Sequence, residues 1–221
     1  MTGFESETPV YQGQFGEFTI TAEDRREVVI YRAGLALAGL SFVVGTGLLL
    51  WQGATPAVLL ALTVLYGLFC AGLGISLWTI HIYLAPLHRA LQVFWAIGAI
   101  ASLVLALQSP APLALTAYEQ PLTLLGIGFV FAALTGIFVK EAFCFNRLET
   151  KILTPIVPLL LVGHLTGTMP FAVKQGFLVL WAALFLVFVA RKATQAIPPD
   201  IGDKSVFAYL REQRQAAKQA S

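Results

Sequence analysis

Between Arg32 and Arg89 the chain has no Lys, Arg, Asp or Glu, and four more uncharged stretches follow, Ala90–Tyr118, Gln120–Val139, Ile152–Val173 and Gln175–Ala190. Only 12% of residues are charged, against about 25% in soluble domains, while 57% are hydrophobic. The mean hydropathy is +0.78. A hydrocarbon core about 30 Å thick needs roughly 20 apolar residues in a helix. These absences exclude a soluble globular domain and describe a protein that crosses a membrane several times.

Other things are missing too. No carboxylate falls within an expected hydrophobic core; Glu119 and Glu141 sit at opposite edges, and the remaining acids lie in tails or loops. Proton- and cation-coupled carriers rely on an intramembrane carboxylate to accompany the ion, so an ion-coupled carrier is disfavoured. The paired acids of general acid–base catalysis and the acidic clusters that hold Mg²⁺ are lacking as well. So are the nucleophile elbow, the zinc-protease helix and the phosphate loop. An enzyme is not expected. The chain has two cysteines, one expected mid-span (Cys70) and one in a polar loop (Cys144), so neither a disulfide nor metal spacing arises. The first 24 residues carry five acids and no cation, the opposite of a signal peptide's basic start. The net charge of +2 reports asymmetry across the bilayer rather than affinity for nucleic acid.

What is present sets the topology. Gln52-Gly53-Ala54-Thr55-Pro56 breaks the first apolar run, since Gly and Pro punctuate turns and Pro suits the opening turn of a helix. Spans are expected at about 33–51, 57–84, 91–107, 121–139, 153–169 and 173–190. Thirteen of the fourteen cations then fall on one side, and only Lys174 lies opposite. Lys and Arg near span ends stay in the cytoplasm. The expected fold is therefore all-α, a polytopic bundle of six transmembrane helices with both termini cytoplasmic. Residues 1–21 form a cytoplasmic tail, 22–192 the membrane domain and 193–221 a second cytoplasmic tail. Thr21 followed by Glu23 and Asp24 has the pattern of a helix start near residue 22. Tyr11, Phe15, Phe18 and Ile20 suggest a small extended flap before it. After Pro198-Pro199, a helix from about Ser205 would carry Phe207 and Leu210 beside Arg211, Arg214 and Lys218, suited to anionic headgroups.

The candidate functional residues are few. His81 and His164 can each offer a neutral imidazole as an axial ligand to haem or chlorophyll, or an interhelical hydrogen bond. Their different depths keep the histidines from sharing one metal ion. Lys140-Glu141-Ala142-Phe143-Cys144-Phe145-Asn146-Arg147 alternates charge and aromatics, and with His88 and Arg89 it could frame an inner-face surface for a partner protein. Gly128, Ala132 and Gly136 recur every four residues and mark a helix-packing stripe. Gly34 with Ala38, and Gly72 with Ser76, repeat that spacing. Trp51, Trp78 and Trp95 suit membrane interfaces.

Three stretches carry a resemblance. VYQGQFGEFTITAEDRREVVIYRAG from Val10, LWTIHIYLAPLHRALQVFW from Leu77 and GIFVKEAFCFNRLETKILTPIVPLLLVGHL from Gly136 are similar to an integral membrane family of unknown function found in cyanobacteria and plastids. The resemblance implies a six-span protein of a thylakoid or plasma membrane in a phototroph; it brings no catalytic residues, ligands or substrate. Two functional expectations follow. One is a non-catalytic scaffold or assembly factor near photosynthetic membrane complexes. The other is a facilitator or carrier for a small neutral or amphipathic solute, with His164 and Thr166 behind the Pro155/Pro158 entrance.

Overall fold

The structure is a computed structural model and describes residues 9–219. An antiparallel hairpin, β1 (Val10–Gly13) and β2 (Gly16–Thr19), precedes the first long helix, α1 (Ala22–Gln52). Thr21 caps α1: its hydroxyl accepts from the Asp24 N–H at 3.2 Å, and the Asp24 carboxylate accepts from the Thr21 N–H at 2.7 Å. This reciprocal pairing satisfies two amides that would otherwise lack partners. The helix therefore starts well before its apolar run. Thr55 caps α2 (Pro56–Thr79) with Pro at its first position. Next come α3 (Ala85–Gln108), a short α4 (Leu113–Glu119), a 3₁₀ turn (Pro121–Thr123) and α5 (Leu124–Phe145). α6 (Leu148–Leu165), α7 (Phe171–Thr194), the single turn α8 (Pro198–Ile201) and α9 (Ser205–Gln219) complete the order.

Six of these helices are long and apolar enough to cross a membrane. They form a six-helix bundle in which α1, α2, α3, α5, α6 and α7 touch successively, and α7 closes back on α1. Aromatic side chains fill its axis. Phe42 lies 4.3 Å from Trp181 between ring centroids, Phe69 lies 5.7 Å from Phe131, and Phe138 packs edge-on against Phe185 and Phe188.

Helices α1 and α2 approach to backbone contact. A Cβ on Gly34 would meet the Gly72 carbonyl oxygen at 2.6 Å, and one on Gly72 would meet the Gly34 carbonyl oxygen at 2.5 Å. Across this contact Ser76 donates to the Tyr31 carbonyl at 2.9 Å. In a bilayer, where lipid tails are as apolar as Leu, such close backbone contact and interhelical hydrogen bonding drive association.

Several boundaries differ from the sequence expectation. α2 stops at Thr79 and α3 starts at Ala85, because Pro86 falls in the first turn of α3, where its missing N–H costs nothing. Trp95 consequently lies about 15 Å into α3. It is half-buried against the bundle core, and its indole donates to the Cys70 carbonyl at 2.8 Å. Trp51 and Trp78, by contrast, are exposed near helix ends. The segment before Pro121, expected as a loop, contains α4, where Thr116 and Ser109 bond at 2.8 Å.

The hairpin, the 80–84 linker, the α5–α6 turn, α8 and α9 gather at one end, referred to below as the basic end. Asp203 accepts from the Gln14 N–H at 2.6 Å, Ser205 from the Phe15 N–H at 3.0 Å, and Phe15 stacks on Tyr209 at 4.1 Å.

Gly72→Leu should separate α1 from α2 at a cost of about 1–3 kcal/mol, visible as a lower thermal midpoint in detergent; an unchanged midpoint would refute the contact. Cys144 is exposed while Cys70 is half-buried in α2. If the basic end is cytoplasmic, an impermeant maleimide labels Cys144 in inside-out vesicles only. Labelling in right-side-out vesicles would reverse that orientation.

Candidate functional site

The most unusual chemistry lies where α1, α5, α7 and α8 meet at the basic end. Asn146, in the left-handed conformation (φ 52°), ends α5. Glu141 is therefore about one turn inside the helix, where it is completely buried. Lys192 in the last turn of α7 is 1% exposed and reaches Glu141 Oε2 at 2.7 Å. Its ammonium also pairs closely with Asp200, which the α8 turn presents from the other side. Lys140 holds the second Glu141 oxygen at 2.8 Å, and the Tyr31 hydroxyl donates to that same oxygen at 3.1 Å. Arg32 grips Asp200 Oδ2 through Nε (2.8 Å) and Nη2 (2.6 Å) and donates to the Gln195 and Ala196 carbonyls. The Phe145 ring closes one side, 4.2 Å from the Lys192 ammonium.

A second layer extends it. Arg191 pairs with buried Glu149 at 2.9 Å, and Arg147 donates to the Gln195 side-chain carbonyl at 2.5 Å. Arg147 Nη1 and Glu149 Oε1 are buried without a hydrogen-bond partner among the described residues. Removing an ion from water costs several kcal/mol, recovered only when geometry and hydrogen bonds are nearly complete. The Lys192–Glu141–Asp200 core meets that condition. Lys192 gives two of its three donors to carboxylates and lies against the Phe145 ring, and the acids are held by cations, so the arrangement ties α1, α5, α7 and α8 together.

A family model described as an uncharacterized integral membrane protein (DUF2301) matches residues 75–209, more than half of the chain. The chain belongs to the DUF2301 family. No curated protein and no solved structure matches it. The DUF2301 match includes α3 and α5 to α8, and so Lys140, Glu141, Lys192 and Asp200; Tyr31 and Arg32 of α1 lie before it.

The residues singled out from the DUF2301 sequence fall into three places. Lys140, Glu141, Phe145 and Arg147 take part in the ionic cluster, and Glu141, one turn from the end of α5, is fully buried between helices. Arg89 and Phe143 are exposed; Phe143, at 86%, projects furthest. His88 Nε2 lies 2.6 Å from the Leu77 carbonyl, where Gln92 joins it, so both serve the carbonyl end of α2. His164 is at the opposite end of the bundle. Its Nε2 is 3.1 Å from the Tyr118 carbonyl, its ring stacks on Tyr118, and Lys174 approaches Nδ1 at 3.3 Å. The small-residue stripe divides: Gly136 packs against Leu91 of α3, while Gly128 and Ala132 line an outward groove between α5 and α6.

His81 lies in the 80–84 linker with Nε2 3.2 Å from Glu27. Burial holds its imidazole below the ordinary histidine range; Glu27 and Asp24 pull the other way, while Lys140 and Lys204 reinforce the burial. Asp24, Glu27 and His81 bring their ligand atoms within 4.8 Å of one another, a grouping that could hold a metal ion. A cationic group is already there: Lys204 contacts Asp24 at 2.6 Å.

Of the ionic core, the sequence singled out Lys140 and Glu141 but not Tyr31, Arg32, Lys192 or Asp200. A usable signal was the adjacent Lys140-Glu141 pair at the end of an apolar run, which cannot face lipid without partners. Another was Pro198-Pro199-Asp200, with Pro preset for a helical first turn and an acid directly after it.

Lys192→Met should destabilise the protein by about 3–5 kcal/mol, because it leaves Glu141 and Asp200 short of a cation. Combined with Glu141→Gln, the loss should be smaller than the sum of the two. Unfolding in mixed micelles followed by tryptophan fluorescence gives both quantities, and strictly additive losses would mean that the two residues are not coupled.

Proposed function

We propose that this DUF2301 protein is a non-catalytic scaffold or assembly factor that holds other membrane proteins at its basic end, in the membrane of a phototroph. The observation that carries this reading is the division of labour along the bundle axis. The membrane-spanning part is filled by contacting aromatic rings, while a folded layer of hairpin, linker, α8 and α9 is fastened to one end. Crossing a bilayer does not require that layer. A solute carrier would need a polar cavity near mid-depth, with helices free to rock around it. Here the buried charged groups are locked in ion pairs at one end, and His164 is occupied by Tyr118 and Lys174 at the other.

Arg89 and Phe143, both exposed at the basic end, supply a cation and an aromatic anchor, residue types that dominate interface energetics. The phototroph setting rests on the resemblance of the hairpin, linker and α5–α6 segments to the cyanobacterial and plastid family.

The tagged protein isolated from its native membrane in mild detergent should bring down photosynthetic membrane subunits in fixed ratio. The double substitution Arg89→Glu with Phe143→Ser should reduce that recovery by about tenfold or more while leaving the melting temperature unchanged. Recovery of the wild-type protein alone, together with solute uptake by liposomes containing it, would replace the scaffold with the carrier.

A further inference from the structure

A second feature of the basic end is independent of the scaffold reading. Between the start of α3 and the α9 helix lies a recess of about 300 Å³ lined by Tyr83, Ala85, Lys204, Phe207, Leu210 and Arg211. Its size is at the lower end of the range for small-molecule sites, about 300–1,000 Å³.

We propose that this recess binds the phosphate of an anionic phospholipid headgroup, with the glycerol and upper acyl carbons against Phe207 and Leu210. The depth is appropriate. Ala85 opens α3, a helix apolar enough to cross a membrane, five residues before its uncharged run starts at Ala90, so the recess lies at headgroup depth. The charge is appropriate too. Arg211 donates only its Nε, to the Phe207 carbonyl at 3.3 Å, and makes no ion pair among the described residues, leaving both terminal amino groups of its fork available. Guanidinium groups bind phosphate through paired hydrogen bonds. Lys204 gives one donor to Asp24 and is 28% exposed; an ammonium carries three donors.

The walls are fixed by other contacts. The Tyr83 hydroxyl is committed to the Ile201 carbonyl at 2.8 Å and its ring packs on Phe207 at 4.7 Å, so it shapes the recess without competing for the phosphate. Tyr209 faces the other way, onto Phe15 of the hairpin. α9 thus does not lie free on the headgroups with its apolar side in lipid. The protein occupies that side and holds the helix so that Arg211 and Lys204 converge. Apolar side chains beside the cations favour a phosphate carried on a lipid over one free in water.

The test uses the full-length protein in detergent, with dioleoylphosphatidylglycerol and dioleoylphosphatidylcholine added in equal amounts and bound lipid read by native mass spectrometry. One phosphatidylglycerol should be retained in preference to phosphatidylcholine. Arg211→Gln should cut that retention by about tenfold, the effect of losing a charge-assisted pair, and Leu210→Glu should do the same by repulsion. Both positions are exposed on α9, and unchanged melting temperatures would show that the fold is intact. Equal retention of the two lipids, or full retention by both variants, would overturn the site. Displacement of phosphatidylglycerol by millimolar inorganic phosphate, with equal thermal protection from phosphate alone, would reject the lipid as occupant and assign the recess to a soluble phosphate.

Discussion

Lys192 sits between Glu141 and Asp200 at the edge of the hydrocarbon, almost wholly removed from water. Such a charge is tolerable only when its partners are held rigidly, because desolvation costs as much as an imperfect pair returns. Each neighbour is accordingly anchored on a different element: Glu141 on α5, Asp200 on α8, and Tyr31 and Arg32 on α1. Satisfying one ammonium therefore fixes the relative positions of four segments. The rest of the basic end is built on that arrangement. With Asp200 held by Arg32 and Lys192, α8 directs the chain toward α9, and α9 reaches the hairpin through Asp203, Ser205 and Tyr209.

The bundle above this layer uses a different kind of cohesion. Its helices meet through glycines where backbones touch, as at Gly34 and Gly72, and through aromatic rings where they stand apart. Hydrogen bonds inside the membrane run mostly from side chains to carbonyls, as with Ser76 to Tyr31 and Trp95 to Cys70. These bonds add cohesion without adding charge. Electrostatics joins the helices at one end, and close packing holds them along their length.

Local features of the sequence were readable, and distant pairings were not. Thr21 with Asp24 announced the start of α1, and Gly53 with Pro56 announced its turn into α2, since both depend on residues a few positions apart. The expected start of α3, at about 91, is too late because Arg89 reads locally as loop; Pro86 suits the first turn of a helix, and α3 starts at Ala85. The packing role of Gly72 and Ser76 could be inferred from spacing alone, whereas their actual partners, Gly34 and Tyr31, could not. The ionic core was the least legible part. Arg32 and Asp200 are 168 positions apart, and nothing local distinguishes Lys192 from the other cations that mark the basic side. Glu141 was noticed as a charge near an edge; its burial depends on α1 and α7 arriving from elsewhere in the chain.

The closure of α7 onto α1 bears on the order in which the protein can be made. As the chain enters the membrane, all six spans separate Arg32 from its partner Asp200, and Glu141 waits for Lys192 until α7 is in place. Until then Arg32 has only water and headgroups to face, and Glu141 has Lys140 beside it but not Lys192. A nascent chain interrupted before α8 lacks Asp200, which leaves Arg32 without its carboxylate and Lys192 with one carboxylate in place of two. The contacts that stabilise the bundle thus close only once all six spans and α8 are in place.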